Sequence, residues 1–145
     1  MTIRDVTCKS ENGILIYGTD ESIIEDVRLE NIDLVLADSK LNDFAGGNID
    51  LRGCLSMEQS IFSHDVPGLF ARYVKGLSII DFTLEWKNIN EPYFTNGIEA
   101  ENYSDLEIIN FTGSSAPGNS SAYPVSLING SGFRTDLDNK SVRIK

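Results

Sequence analysis

An approximate internal repeat constrains the fold of this chain more than any other feature of its sequence. Residues 68–84 and 97–113 both read Gly, apolar, any residue, Ala, and later Leu-x-Ile-Ile-Asp/Asn-Phe-Thr. Asp81 follows Gly68 by 13 positions, and Asn110 follows Gly97 by the same 13. A fixed repeat of a few tens of residues is typical of solenoid proteins, in which stacked units share one core.

Earlier stretches extend the repeat toward the start of the chain. Asp26 follows Gly13 by 13 positions, and residues 3–8 match the second half of a unit. Because 55 positions separate Asp26 from Asp81, we place an additional unit around residues 48–51, after a loop insertion at 37–47. Alternate positions after each glycine are predicted to face the core, and these are Ile14/Ile16, Leu69/Ala71 and Ile98/Ala100.

The apolar residues within a unit alternate with period two, as Leu77 and Ile79 and then Phe82 and Leu84 do. This is the period of a β-strand and not the 3.6 of a helix. Short strands punctuated by Gly, Asn and Asp complete each unit. The sequence therefore predicts an all-β protein, a right-handed single-stranded parallel β-helix of the pectin-lyase type with about five coils.

One acidic or amide residue recurs in each unit, as Asp5, Asp26, Asp81 and Asn110. We expect these residues at a bend between strands, because Asp and Asn tolerate the left-handed backbone conformation and bond to their own backbone. Stacked unit on unit, they would form a ladder. The alternative is a functional column of catalytic carboxylates or calcium ligands.

Composition limits the partners of the chain. Its 145 residues fit one domain, and its formal net charge of −10 argues against nucleic acid or an anionic membrane surface as a partner. The same charge argues against a strongly anionic polymer unless the few basic residues cluster. No apolar segment of signal-peptide type follows the first five residues. Cys8 and Cys54 are expected to be free and mostly buried, with Cys8 in the inward position of Leu29 and Leu84, although one bridge between them stays open.

The two ends of the repeat differ. The chain opens in the middle of a unit, so we expect either a piece of a longer β-helix or an open N-terminal end that pairs with another chain to form a homo-oligomer. Residues 113–122 are predicted to be a polar loop, and residues 123–145 to contain the closing strands.

The order of residues in the middle of the chain resembles a known family. Pro67-Gly-Leu-Phe-Ala-Arg72 followed by Val74-Lys-Gly-Leu77 is similar to the C-terminal coils of polygalacturonase-like proteins, the family 28 glycoside hydrolases. Tyr93-Phe-Thr-Asn96 and the following Gly-Ile-Glu are similar to bacterial members. The resemblance spans roughly residues 2–130, and it implies a carbohydrate-active protein of a mostly secreted or periplasmic kind.

The catalytic motifs of that family lie on coils before the matched stretch. They are an Asn-Thr-Asp, an Asp-Asp, a Gly-His and an Arg-Ile-Lys, and only the last occurs here, as Arg143-Ile144-Lys145 at the end of the chain. We interpret that match as coincidence. The resemblance therefore implies a β-helix end without its catalytic coils.

Seven residues are candidates for chemistry or binding, and no cofactor or metal site is predicted. Glycoside hydrolysis needs two facing carboxyl groups, for which Asp50 and Asp65 are the best pair. His64, the only histidine, is either a general base or one partner in a loop hydrogen bond.

Four larger side chains complete the candidate set. Arg52 and Arg72 would clamp the carboxylate of a uronic-acid polymer or pair with neighbouring acids. Trp86 and Tyr93 would stack on a sugar ring or, for Trp86, pack partly into the core.

Three functions fit these observations. The first is a non-catalytic C-terminal β-helix segment of a polygalacturonase-like protein, with a structural role and polysaccharide contacts. The second is a pectin-type glycoside hydrolase whose site is completed by upstream coils or a partner subunit. The third is a structural module that assembles end to end.

Overall fold

Ten strands make up the regular structure that the computed structural model describes, which covers residues 1–38, 47–50 and 61–145. These residues contain no helix, so the predicted all-β class is confirmed for them. The strands are β1 (Thr2–Ser10), β2 (Ile14–Tyr17), β3 (Ile24–Glu25), β4 (Arg28–Ala37), β5 (Leu69–Lys75), β6 (Ser78–Lys87), β7 (Ile98–Thr112), β8 (Val125–Ile128), β9 (Ser131–Thr135) and β10 (Val142–Ile144).

The strands pair in parallel and form two ladders within one curled sheet. The first ladder joins β1, β4, β6, the second half of β7, and β9. The second ladder joins β2 and the short β3, β5, the first half of β7, β8 and β10. Because the long strand β7 belongs to both ladders, it links them into one sheet. Each repeat of the sequence therefore adds one strand segment to each ladder.

A left-handed residue interrupts four strands of the first ladder, β1, β4, β6 and β7, and explains their burial pattern. Asp5, Asn31, Asp81 and Asn110 have φ between 53° and 57° and are skipped in the strand register. The skip shifts the alternation by one, so that inward residues are three positions apart across it, as Ile79 and Phe82 are. The predicted ladder of turn residues is confirmed at Asp5, Asp81 and Asn110.

Asp26 was assigned to this column wrongly, because the residue at that position is Asn31. Tyr17 pairs with Arg72 and Ile24 with Val74, so residues 19–23 are an insertion of five residues in this unit. Because of this insertion, the left-handed residue Asn31 follows Gly13 by 18 positions and not by 13. Asp26 instead lies opposite Gly76 in a second left-handed column, with φ of 53° and 68°.

The additional unit predicted around residues 48–51 is also wrong. β2 pairs directly with β5, and β4 directly with β6, so no strand lies between these neighbours in either ladder. Residues 48–50 form a bend whose members are buried, and residue 51 is outside the described residues. The long spacing between Asp26 and Asp81 therefore belongs to a connection from β4 to β5 and not to a repeat.

The core lies between the two ladders. The inward pairs Leu69/Ala71 and Ile98/Ala100 are fully buried, as predicted, and Ile14/Ile16 are half-buried. Phe82 and Phe111 stack with their ring centroids 5.5 Å apart. Each large apolar side chain buried in this way contributes about 1.5–3 kcal/mol to stability. Packing along the stack, not local propensity, therefore holds the strands together.

Cys8 differs from the sequence prediction. Cys8 is the register partner of Leu34, which in turn pairs with Leu84. The prediction that Cys8 shares the inward position of Leu84 is therefore confirmed, and the prediction that it shares that of Leu29 is wrong, because Leu29 pairs with Ile3. Cys8 is a free thiol and is exposed, because β1 is the edge strand of the sheet and only one neighbour packs against it. Cys54 lies outside the described residues.

Candidate functional site

The outward face of the second ladder carries a row of side chains, one from each strand, that begins with an apolar residue and ends with an arginine. Leu15, Phe70, Glu99, Ser126 and Arg143 are register partners from β2 to β10. Each of them lies between two inward residues, as Glu99 lies between Ile98 and Ala100, and so points away from the core. We call this set the outward row. Adjacent parallel strands are about 4.8 Å apart, so the row spans about 19 Å.

A cleft of about 410 Å³ opens beside the middle of the outward row. It is lined by Ser63, His64, Asp65, Thr95, Asn96 and Glu99. Two of the predicted site residues, His64 and Asp65, are therefore brought together at one cleft. The segment before β5 supplies one wall, and the start of β7 with the residues before it supplies the other.

Residues of the β4–β5 connection fold over the outward row and place His64. The His64 ring stacks on the Phe70 ring with centroids 3.9 Å apart, which buries Phe70 although it points outward. The His64 backbone amide donates to Asn48 Oδ1 at 3.3 Å, and its carbonyl accepts from Ile49 at 3.0 Å. The imidazole ring of His64 therefore lies between the buried Phe70 ring and the cleft.

Glu99 is a buried carboxylate at the centre of the site, with 7% of its surface exposed. Its Oε1 is 3.2 Å from His64 Nε2, and its Oε2 accepts from Asn96 Nδ2 at 2.5 Å. Asn96 is fixed in turn, because its Oδ1 accepts from the amide of Tyr123 at 2.8 Å. Both carboxylate oxygens therefore have oriented partners, as a buried charge requires.

Burial, hydrogen bonds and neighbouring charges together shift the pKa values of His64, Glu99 and Asp65. Burial alone would lower the pKa of His64, but hydrogen bonds to Glu99 and to the Asp65 carbonyl, with the charges of Glu99 and Glu101, raise it. Burial would raise the pKa of Glu99, but His64, Asn96 and the charge of Arg143 lower it. Burial raises the pKa of Asp65, and the charge of His64 offsets only part of that effect. In the folded chain His64 and Glu99 thus favour a cation and an anion in contact.

A second cleft of about 230 Å³ continues from the first toward β10. The two share Asp65, Thr95 and Asn96, and Arg143 lines the far wall. The Arg143 guanidinium lies 4.5 Å from the centroid of the Tyr123 ring and donates to Ser126 Oγ at 3.2 Å. Together the two clefts form a groove along the outward row, with carboxylates near its middle and a guanidinium at its end.

A parallel row two residues further along each strand borders the groove. It contains Tyr17, Arg72 and Glu101, and the Arg72 Nε atom is 3.5 Å from Glu101 Oε2. Tyr17 stacks on Phe62 with ring centroids 4.4 Å apart and an angle of 8° between the planes. Arg72 therefore pairs with an acid here, which is the second of the two roles considered from the sequence.

The remaining predicted residues lie elsewhere. Asp50 is buried, and its Oδ2 accepts from the amide of Ile61 at 2.7 Å, so it holds the connection and does not face Asp65 across the cleft. Trp86 is half-buried against Phe94 and donates from Nε1 to the Ser114 carbonyl at 2.9 Å. Tyr93 packs against Phe94 with centroids 5.0 Å apart. Arg52 lies outside the described residues.

Two residues of the groove, Glu99 and Arg143, are not among the site residues predicted from the sequence. Each stands between two inward apolar residues, and that pattern marks an outward position. What the pattern does not reveal is that β7 and β10 are separated in the stack only by β8. The Arg-Ile-Lys triplet that we interpreted as coincidence supplies the guanidinium of the groove.

The predicted oligomer surface corresponds to an apolar groove of about 240 Å³ between β1 and β2. Ile3, Val6, Cys8 and Leu34 contribute to its lining, and Ile3 is 41% exposed. Association through this end stays a prediction.

The fold and the groove define an all-β protein of stacked parallel strands that carries a charged groove on the outer face of one ladder. Comparisons with protein-family models, with curated proteins and with solved structures find no match for this chain. The described residues hold no helix that is long and apolar enough to cross a membrane.

Proposed function

We propose that the chain is part of a right-handed parallel β-helix of the polygalacturonase-like kind and that its groove binds an acidic polysaccharide. The fold proposal is supported by consecutive repeats that each add one segment to two parallel ladders. It is supported further by the columns of left-handed residues that mark the bends.

The observation that carries the binding proposal is the groove along the outward row. Glu99 and Asn96 offer fixed hydrogen-bonding groups to sugar hydroxyls, and Arg143 offers a cation to a sugar carboxylate. Thr95 lines both clefts and lies at their junction.

Calorimetric titration with neutral and uronic-acid oligosaccharides tests this proposal. We expect binding of the acidic oligosaccharides, weakened at least about tenfold by Arg143→Gln, because a charged hydrogen bond contributes about 1.5–3 kcal/mol. Arg134→Gln is the matched control, since Arg134 is exposed on the first ladder and pairs with Glu107. Absence of binding across the panel, or equal losses in both variants, would refute the proposal.

Hydrolysis of the bound polysaccharide is a second candidate function, which we propose because Asp65 and Glu99 line the same cleft. Two carboxyl groups across one cleft are what acid and base or nucleophile roles need. Release of reducing ends from polygalacturonate is the assay, with Glu99→Gln expected to abolish it and Glu85→Gln, an exposed acid on β6, to leave it unchanged. A wild-type chain that releases none, alone and within its full reading frame, would exclude hydrolysis.

A further inference from the structure

Three potential metal ligands converge on the outward face of β7. His64 Nε2 is 3.2 Å from Glu99 Oε1, and the ligand atoms of His64, Glu99 and Glu101 all lie within 4.8 Å of one another. Glu99 and Glu101 are two positions apart on one strand, so both point to the same face. His64 reaches them from the β4–β5 connection, 35 positions earlier than Glu99.

Each of the three side chains is already oriented by a neighbour. His64 Nδ1 lies 2.6 Å from the Asp65 carbonyl, and this contact assigns the Nδ1 proton and directs Nε2 toward the carboxylates. Asn96 donates to the second oxygen of Glu99 at 2.5 Å, and Arg72 lies 3.5 Å from one oxygen of Glu101. Metal ligands in proteins are typically held by such outer contacts, which fix the tautomer and the ring orientation.

We infer that His64, Glu99 and Glu101 form a binding site for a divalent transition metal ion, and that Zn²⁺ is the ion that suits this ligand set. Imidazole selects Zn²⁺ and its neighbours over Ca²⁺ and Mg²⁺, which prefer oxygen ligands alone. Nitrogen and oxygen ligands bind Zn²⁺ at about 2.0–2.2 Å and are then about 3.4 Å apart in a tetrahedral site, near the His64–Glu99 separation.

The charges and the surroundings fit the same ion. Two carboxylates and a neutral imidazole balance a charge of +2. A metal ligand must be deprotonated, so an ion that binds here takes the place of any proton carried by His64 Nε2 or Glu99. Three protein ligands leave a fourth position open toward the cleft, which is the arrangement of zinc sites that bind a further ligand.

Isothermal titration of the chelator-treated chain with ZnCl₂ tests the inference. We expect one equivalent of Zn²⁺ to bind at micromolar or lower concentration, with Mg²⁺ and Ca²⁺ at least about tenfold weaker. Co²⁺ should give a visible absorption band when it occupies the same site. His64→Gln and Glu101→Gln should each weaken Zn²⁺ binding at least about tenfold. Glu85→Gln, an exposed acid on β6, should leave it unchanged.

Two further measurements separate loss of the site from loss of the fold. Far-ultraviolet circular dichroism should be the same for all variants. Excess Zn²⁺ should raise the melting temperature of the wild type but not that of His64→Gln, because a ligand stabilises only the state that binds it. The metal titration contains no glycan, so its outcome does not depend on polysaccharide binding.

Two results would overturn the inference. One is the absence of Zn²⁺ binding at about 100 µM, which would mean that the cluster is a histidine–carboxylate ion pair only. The other is binding of several equivalents that His64→Gln does not change, which would mean that the ion associates with the net negative charge of −10 and not with the site.

Discussion

The left-handed column of the first ladder yields the sharpest prediction, because one substitution changes charge without changing shape. Asn110 Nδ2 donates to Asp81 Oδ1 at 2.6 Å, as Asn31 donates to Asp5 at 2.8 Å. Asn110→Asp keeps the size of the side chain and the tolerance for a φ of 53°. It removes the donor and sets the new carboxylate against that of Asp81, in a place where the Asp136 carboxylate already accepts from the backbone amide of residue 110.

The expected loss of stability is about 2.5 kcal/mol at neutral pH. A hydrogen bond to a charged group contributes about 1.5–3 kcal/mol, and the lower end applies here because both residues are exposed. Repulsion between two unit charges about 4 Å apart in water adds about 1 kcal/mol. For a chain of this length the loss corresponds to a melting temperature lower by roughly 5–10 °C.

Urea unfolding followed by circular dichroism measures this loss, at low salt and in 1 M NaCl. The part due to repulsion should shrink in high salt, where the screening length is about 3 Å, and leave about 1.5 kcal/mol. Asn88→Asp is the control, because Asn88 has a φ of 57° but no side-chain hydrogen bond to another described residue. A loss below about 0.5 kcal/mol at Asn110, or an equal loss at Asn88, would refute the ladder as a source of stability.

Three further predictions concern the core, the second left-handed column and the site. Phe82→Ala should cost about 3–5 kcal/mol in urea unfolding, since Phe82 is fully buried. Gly76→Ala should cost about 1–2 kcal/mol, because Gly76 has a φ of 68° and a Cβ there would lie 2.8 Å from Asp26 Oδ1; thermal unfolding measures it. In the presence of chelator, the stability difference between the wild type and His64→Gln should be largest between about pH 4.5 and 6.5 in urea titrations. Because the pKa of His64 is raised on folding, its contribution to the free energy of unfolding is complete below pH 6.5, the ordinary pKa of histidine. That contribution is lost as the pH rises through the pKa of the folded chain. Because the pKa of Glu99 is lowered on folding, its contribution to the free energy of unfolding is complete above pH 4.5, the ordinary pKa of glutamate. That contribution is lost as the pH falls through the pKa of the folded chain.

The strands and their inward faces could be predicted because they follow from local rules. Period-two alternation identifies Leu69 and Ala71 as inward residues without any knowledge of their neighbours. The same holds for Asp81 and Asn110 as left-handed residues, since backbone preference belongs to the residue type. These properties need no information about which strands are adjacent, and the structure agrees with them.

The register of the first complete unit could not be predicted by counting. Asp26 and Asn31 are both compatible with a left-handed bend, and both adopt one, with φ of 53° and 56°. Only the pairing of Tyr17 with Arg72 and of Ile24 with Val74 reveals the five inserted residues between them. Insertions at exposed turns cost little free energy, so a repeat can absorb one without a signal in its apolar positions.

The candidate site depends on an element that does not repeat, and for this reason the sequence predicted only part of it. Glu99 and Arg143 belong to the stacked strands, whereas His64 arrives from the β4–β5 connection and rests on Phe70. The two parts are coupled, because Asn48 orients the His64 backbone and His64 contacts Glu99. Substitutions in the connection should therefore alter the groove without disturbing either ladder. The repeat supplies the carboxylate of the groove, and the β4–β5 connection supplies its histidine. Changes in the connection alone can therefore change the ligand that the groove binds.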